Sequence, residues 1–276
     1  MIPQRSISLL ANRLAKAGRR RIPESVLERD YCLAWFLAEL SQSELHRRVA
    51  FKGSTALKRC YFSDYRFSED LDFTLLEPMP LEQILQGLAP IYMAVRDASG
   101  IEFAFDREDR QGHANSHTFY LNYAGPLPAS GGVKVDVTIS EHLVFPLEDR
   151  RVLRGYDEFA DLPENRAVLS YSLGEIASEK VIALGDRARN EPRDLYDLWY
   201  LTAEEAVNLA SLLPAIGEKL KFRGKPTDGL QEAILNKETR LKALWSARLG
   251  NQIAVLPPFE NVFREFRRTM RQARLR

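Results

Sequence analysis

The chain has 276 residues, 45% of them hydrophobic and 28% charged, a balance that excludes a disordered or fibrous polypeptide and leaves room for a sizeable core with two subdomains. No apolar run reaches the length of a bilayer span, and Arg13 and Lys16 interrupt the N-terminal apolar stretch, so neither a membrane helix nor a secretory leader is expected and the expected location is the cytoplasm. Six Lys/Arg and no acid in residues 1–23, with six Arg against Glu260 and Glu265 in residues 251–276, place +10 at the two ends and leave −9 for the middle of a chain whose net charge is +1, a segregation that suits a polyanionic partner.

After Pro23, the run ESVLERDYCLAWFLAELSQSELHRR repeats apolar residues at a near 3.6-residue interval, from Val26 and Leu27 to Leu37 and Leu40, and predicts one helix or two in tandem. VAFKGSTALKRCYF predicts a strand, a tight Lys-Gly-Ser-Thr turn and a helix from Ala56. FSEDLDFTLL reads as the next strand, followed by a helix entered through Pro78 and Pro80 and closed near Gly100. IEFAFDRED, HTFYLNYAG and VKVDVTISE alternate as three further strands. Ser172 and Glu175 have the S-x-x-E spacing of a capping box and predict a helix from about Leu173, after which the pattern is helical to the end. The expected organisation is a mixed α/β lobe with N-terminal helices over residues 1–150 and a helical lobe over residues 151–276.

The chemistry concentrates in the second strand. Successive strand side chains alternate between faces, so Asp70, Asp72 and Thr74 are expected on one face and Leu71, Phe73 and Leu75 on the other. Carboxylates this close repel one another, and a divalent cation between them relieves the repulsion. Mg²⁺, a hard ion held by one or two carboxylates and by substrate phosphates, suits them. A lone D-x-D equally suits a solvated edge-strand face; Asp136, opposite the apolar Val133, Val135 and Val137, supplies a third carboxylate if its strand is a neighbour. Upstream, Lys52, Gly53 and Ser54 stand where a strand hands over to a helix, so free N–H groups and the helix dipole can receive phosphate. Arg66 either contacts phosphate or neutralises Asp64 and Glu69. Cys32 and Cys60 have no metal-ligand spacing and are expected to be reduced packing residues, and His46, His113, His117 and His142 share no spacing.

Gly53-Ser54 followed by Asp70-x-Asp72, within KGSTALKRCYFSDYRFSEDLDF, resembles the AbiEii/AbiGii toxins of the polymerase-β-type nucleotidyltransferase superfamily, which includes the mycobacterial MenT toxins. EKVIALGDRARNEPRDLYDLWYL is similar to the Lys and Arg-Asp-x-x-Asp helices of that family, and the resemblance covers roughly residues 45–205. It implies a nucleotidyltransferase fold, a mixed sheet flanked by helices, and Mg²⁺-dependent use of a nucleoside triphosphate by the toxin of a toxin–antitoxin or phage-defence pair. Some relatives add nucleotides to the 3′ end of tRNA and block aminoacylation. Carried over by position, the resemblance gives Gly53 and Ser54 the triphosphate, Asp70 and Asp72 the metal ions, Lys180 the nucleotide phosphates and Asp194 a catalytic or organising place, with Asp136 as a third acid.

In a two-metal scheme Asp70 and Asp72 bridge both ions, while Asp136 binds the ion nearest the nucleophile and takes its proton. By pattern alone, Lys180 and Arg187 belong to a solvated helix face with Glu179 and Asp186, and Arg193, Asp194 and Asp197 lie opposite the apolar side of RDLYDLWYL, where Arg193 and Asp197 can pair and Asp194 can cap the helix. FENVFREFRRTMRQARLR opposes Phe259, Val262, Phe263, Phe266 and Met270 to five arginines, a helix able to meet an RNA backbone, to solubilise the surface or to meet the antitoxin. The leading expectation is NMP transfer to RNA, tRNA above all. The alternatives are the same chemistry on a protein or small molecule, or a non-catalytic nucleotide- or RNA-binding protein of this fold.

Overall fold

The computed structural model describes residues 1–16, 20–111 and 114–275, so His113 lies outside the described residues. Two compact units partition the chain, the first comprising Met1–Glu141 and Leu147–Ser170, the second His142–Pro146 and Tyr171–Arg276.

In the first unit, Pro3 and Pro23 stand just before helices α1 (Gln4–Ala15) and α2 (Glu24–Leu40), where the missing N–H removes no helical hydrogen bond. The second helix is single, and a 3₁₀ turn at Glu44–Arg47 follows it. Apolar residues cover most of its circumference, so it is buried on nearly all sides. Its two buried acids are satisfied: Asp30 accepts from Arg59 Nε at 2.9 Å and Glu28 from the backbone N–H of Leu127 at 2.7 Å.

Strand β1 (Val49–Lys52) runs directly into α3, a single turn over Gly53–Ala56 that widens into a π turn over Leu57–Tyr61. Then come β2 (Leu71–Leu75), α4 (Leu81–Ser99), β3 (Glu102–Glu108), β4 (Ser116–Ala124), β5 (Gly131–Thr138), β6 (Leu147–Arg151) and β7 (Ala167–Tyr171). Gly100, at φ +77°, ends α4 in the left-handed conformation that glycine adopts without strain.

The strands form one mixed seven-stranded sheet in the order β3-β4-β5-β2-β1-β7-β6. β2 lies inside it, antiparallel to β1 and parallel to β5. Alternation decides which face is core: Val133, Val135 and Val137 are each 2% exposed, while Lys134, Asp136 and Thr138 between them keep solvent access. Phe51 and Phe73 pack with tilted rings on the same apolar side at 5.3 Å between ring centres, and Phe36 of α2 meets Phe103 of β3 edge-on at 5.4 Å. Cys32 and Cys60 are free thiols buried in this unit, and burial raises both above the ordinary thiol range.

The second unit is helical: α5 (Leu173–Gly185), α6 (Pro192–Trp199), a wide turn over Tyr200–Glu204, α7 (Leu209–Phe222), α8 (Leu230–Leu235), α9 (Glu238–Leu249) and α10 (Phe259–Ala273). Tyr196, Trp245, Phe259 and Phe263 build an aromatic core, with successive ring centres 6.3, 5.5 and 5.3 Å apart. Ser172 caps α5 by accepting the N–H of Glu175 at 3.3 Å. The reciprocal half of the expected capping box is absent, because the Glu175 carboxylate turns inward to Lys219 at 2.6 Å and to the N–H groups of Val144 and Phe145. An ionised ammonium is a stronger partner for a carboxylate than a neutral backbone N–H.

Candidate active site

Strand pairing brings the acids together. Asp72 on β2 stands directly across from Asp136 on the parallel strand β5, from Lys52 on β1, and Asp136 in turn faces Thr118 on β4. Residues at one level on paired strands share a face, so Lys52, Asp72, Asp136 and Thr118 form a polar row across four strands spaced about 4.8 Å apart. Asp70 precedes β2 rather than lying in it, so strand alternation does not set its position. Its backbone carbonyl instead accepts the Thr55 hydroxyl at 2.5 Å, which ties the acidic segment to the turn after β1.

Gly53 adopts φ +77°, and a Cβ on it would run into the Asp72 carboxylate, with Asp72 Cγ at 3.1 Å. Any side chain at position 53 would fill the space in front of the acid. The adjacent Ser54 is buried, and its hydroxyl accepts from Arg66 Nη2 at 2.6 Å. Arg66 is itself 2% exposed and also donates to the carbonyl of Phe67. It therefore orients the turn from inside, while Glu69 pairs with Arg29 at 2.6 Å. Lys52 Nζ donates to Thr138 Oγ1 at 2.8 Å on the same face.

Both oxygens of Asp136 accept hydrogen bonds, Oδ1 from Thr118 Oγ1 at 2.5 Å and Oδ2 from Lys134 Nζ at 2.7 Å. Burial works against the Lys134 charge, but the hydrogen bond to Asp136 and the charges of Asp136 and Asp70 outweigh it and hold the ammonium above its ordinary pKa. Among the described residues no three His, Cys, Asp or Glu side chains are already drawn together as a metal cluster. His117 approaches the carbonyl of Met79 and His142 approaches Glu218, so neither supports a histidine site. The donor set that fits a cation is all carboxylate: Asp72 and Asp136 at neighbouring registered positions in front of a glycine that leaves the approach open, with Asp70 near enough for its charge to act on Lys134. Hard oxygen donors suit a hard ion.

The second unit holds Lys180 and Asp194. Lys180 on α5 is buried, contrary to the solvated face its sequence neighbours suggest, and lies between Asp194 Oδ1 at 2.9 Å and Asp197 Oδ2 at 2.7 Å on α6. Asp194 also receives Arg189 Nε at 2.6 Å. Burial pushes the Asp194 carboxyl up, yet the Lys180 and Arg189 charges and their hydrogen bonds more than reverse this and hold it below the ordinary carboxylate range. Asp194 and Asp197 thus sit on the buried side of α6, not on an outward face. The cap of that helix is Glu191, which also takes the Arg193 side chain expected to pair with Asp197. Helix α5 ends at Gly185, so Arg187 is not on a shared face with Lys180.

Sequence reasoning left out Thr118, Lys134, Asp197 and Arg189 as partners in these clusters. Alternation already put Lys134 on the face of Asp136, whereas no local pattern links Arg189 to Asp194.

The model of the nucleotidyl transferase AbiEii toxin family, described as a type IV toxin–antitoxin system, matches residues 35–269. Among solved structures, MenT4, a nucleotidyltransferase toxin from Mycobacterium tuberculosis H37Rv, is similar with a TM-score of 0.65 and 17% identity, over 97% of this chain and 89% of that one. At that identity the likeness is one of fold. No curated protein matches the chain.

Proposed function

Because the chain belongs to the AbiEii family of nucleotidyl transferase toxins of type IV toxin–antitoxin systems, we propose that it transfers a nucleoside monophosphate from a nucleoside triphosphate to the 3′ end of an RNA, tRNA above all, and so blocks translation. Family membership implies a triphosphate substrate and a cognate antitoxin. Among the described residues no helix is long and apolar enough to cross a membrane, and we place the reaction in the cytoplasm. The observation that carries the reading is the registered Asp72–Asp136 pair opposite the Gly53–Ser54 turn.

The RNA hydroxyl oxygen bonds to the α-phosphorus, the bond from that phosphorus to the β-phosphate bridging oxygen breaks, diphosphate leaves and the hydroxyl proton passes to water. Lys52 and the N–H groups at Gly53 and Ser54 receive the triphosphate, and Arg66 holds Ser54 in place for it. Asp70, Asp72 and Asp136 would hold Mg²⁺, as one ion or two, and bound Mg²⁺ supplies charge neutralisation at the phosphate oxygens. Asp136 is assigned to the cation rather than to the hydroxyl proton, because its oxygens already accept from Thr118 and Lys134. Lys180 is assigned to the nucleotide phosphates, and Asp194 acts through it as a positioning residue.

The test is to incubate the protein and its Asp72→Ala variant with bulk tRNA, Mg²⁺ and each α-labelled nucleoside triphosphate in turn, and to resolve the RNA on a denaturing gel. Label joined to tRNA by the unsubstituted protein alone supports the reading and names the base. Absence of label with all four nucleotides, despite Mg²⁺-dependent nucleotide binding, overturns the tRNA acceptor and points to a protein or small molecule.

A further inference from the structure

At the N-terminus Arg13 is clasped by Glu158 through two hydrogen bonds of 2.7 Å, and Arg21 pairs with Glu24 at 3.0 Å. On α10 the apolar residues Phe259, Val262, Phe263, Phe266 and Met270 are all buried, which fixes the opposite face outward, and Arg264, Arg267, Arg268, Arg271 and Arg274 are all exposed on it. The acids of the helix are engaged elsewhere: Glu260 with Lys242 at 2.7 Å and Glu265 with the Trp199 indole N–H at 2.6 Å. Among the described residues none of the five arginines has a carboxylate partner, and Arg264 donates only to the neutral Asn261 side chain.

Arg264 lies three and four residues before Arg267 and Arg268, and Arg271 four and three after them, so they are like-charged neighbours that weaken the helix. At about 1.5 Å of rise per residue, these four span about 10 Å, one positive charge every ~3.5 Å. A nucleic-acid backbone is a phosphate row of comparable density, about one per 3.4 Å of axis on each strand of duplex DNA. The guanidinium fork also matches phosphate oxygens two at a time.

We propose that the arginine face of α10 is a docking surface for the sugar–phosphate backbone of RNA, separate from the residues assigned to the chemistry. It rests on RNA being the acceptor. The full-length protein and a variant carrying Arg267→Gln, Arg268→Gln and Arg271→Gln together are titrated with labelled bulk tRNA between 50 and 200 mM salt, with nucleotide binding and the denaturation midpoint measured alongside. Each lost phosphate contact removes about 0.7 to 0.9 from the slope of log affinity against log salt. The expected result is a slope shallower by about 2 to 3 and at least tenfold weaker binding at the lowest salt, with nucleotide binding unchanged and the slope kept in the matching triple Lys variant. An unchanged slope overturns the proposal, including the case in which the same variant loses only an acidic protein partner. Labelling of tRNA by a triple Gln variant with an unaltered slope overturns the docking surface and leaves the transfer reading standing. Arginine-dependent tRNA binding without any labelling leaves the surface standing and overturns the acceptor.

Discussion

The acids on the sheet and those on α6 differ in how they are closed off from solvent. The Asp136 side chain is 28% exposed beside a Lys134 that is 36% exposed, whereas Asp194 and Asp197 are 1% and 0% exposed around Lys180. An ion pair in contact with water can exchange its ammonium for another cation at small cost. A buried one cannot, because removing either member strands the other charge in a poor solvent. Lost activity therefore carries different meanings in the two regions: on the sheet it reports chemistry, and in the helical unit it reports chemistry and folding together.

The largest effect expected from that difference is at Asp194. Asp194→Ala leaves Lys180 and Arg189 facing one carboxylate fewer and is expected to cost about 3–5 kcal/mol of stability, read as a lower urea midpoint. A loss below 1 kcal/mol would erase the contrast. On the sheet, Asp72→Asn is expected to lower the transfer rate by at least about 10²–10³-fold while the urea midpoint stays within the scatter of surface substitutions. A midpoint that falls with the activity would make Asp72 structural. Gly53→Ala should lie between the two, costing about 1–3 kcal/mol for a side chain at positive φ and weakening triphosphate binding measured by calorimetry, since the new methyl meets Asp72.

Acid pH sharpens the same contrast. The Asp194 carboxyl is held below its ordinary value of 3.8. A group depressed on folding contributes stability that is complete above its unfolded value and is lost as pH falls through the lower folded value. The urea midpoints of the unsubstituted protein and Asp194→Asn should therefore converge as pH drops below about 4. Equal gaps at pH 6 and pH 3 would contradict the assignment. The smallest change expected is Ser172→Ala, about 1 kcal/mol, because only the first half of the capping box exists.

The parts of the fold legible in the sequence were those set by local rules. Alternation exposed β5 and its valine face, Gly100 ended α4 where a left-handed residue was needed, and Ser172 capped α5. Strands β6 and β7 were not foreseen: LEDRR has no apolar alternation, and AVLSY is short enough to read as a connection. At the site, pattern put Asp72 and Asp136 each on the polar face of its own strand, but their meeting depended on β2 pairing with β5 across an intervening helix and two strands. Charge burial was invisible. Lys180 and Asp194 look like solvated-face residues until α5 packs against α6, and Arg66 shows no sign of reaching Ser54 until the turn folds back over it. Long-range partners decide whether a charge is inside, and spacing along one helix does not contain them.

The position of β2 has a further consequence for how long its acid stays in place. Leu71–Leu75 is bonded to β1 on one side and to β5 on the other, so no edge lies free from which the strand could peel. Its amide hydrogens are expected to be among the last in the first unit to exchange with deuterium, released only when the sheet itself opens. The acid that this strand carries, Asp72, is thus held in place by the whole sheet rather than by a local turn.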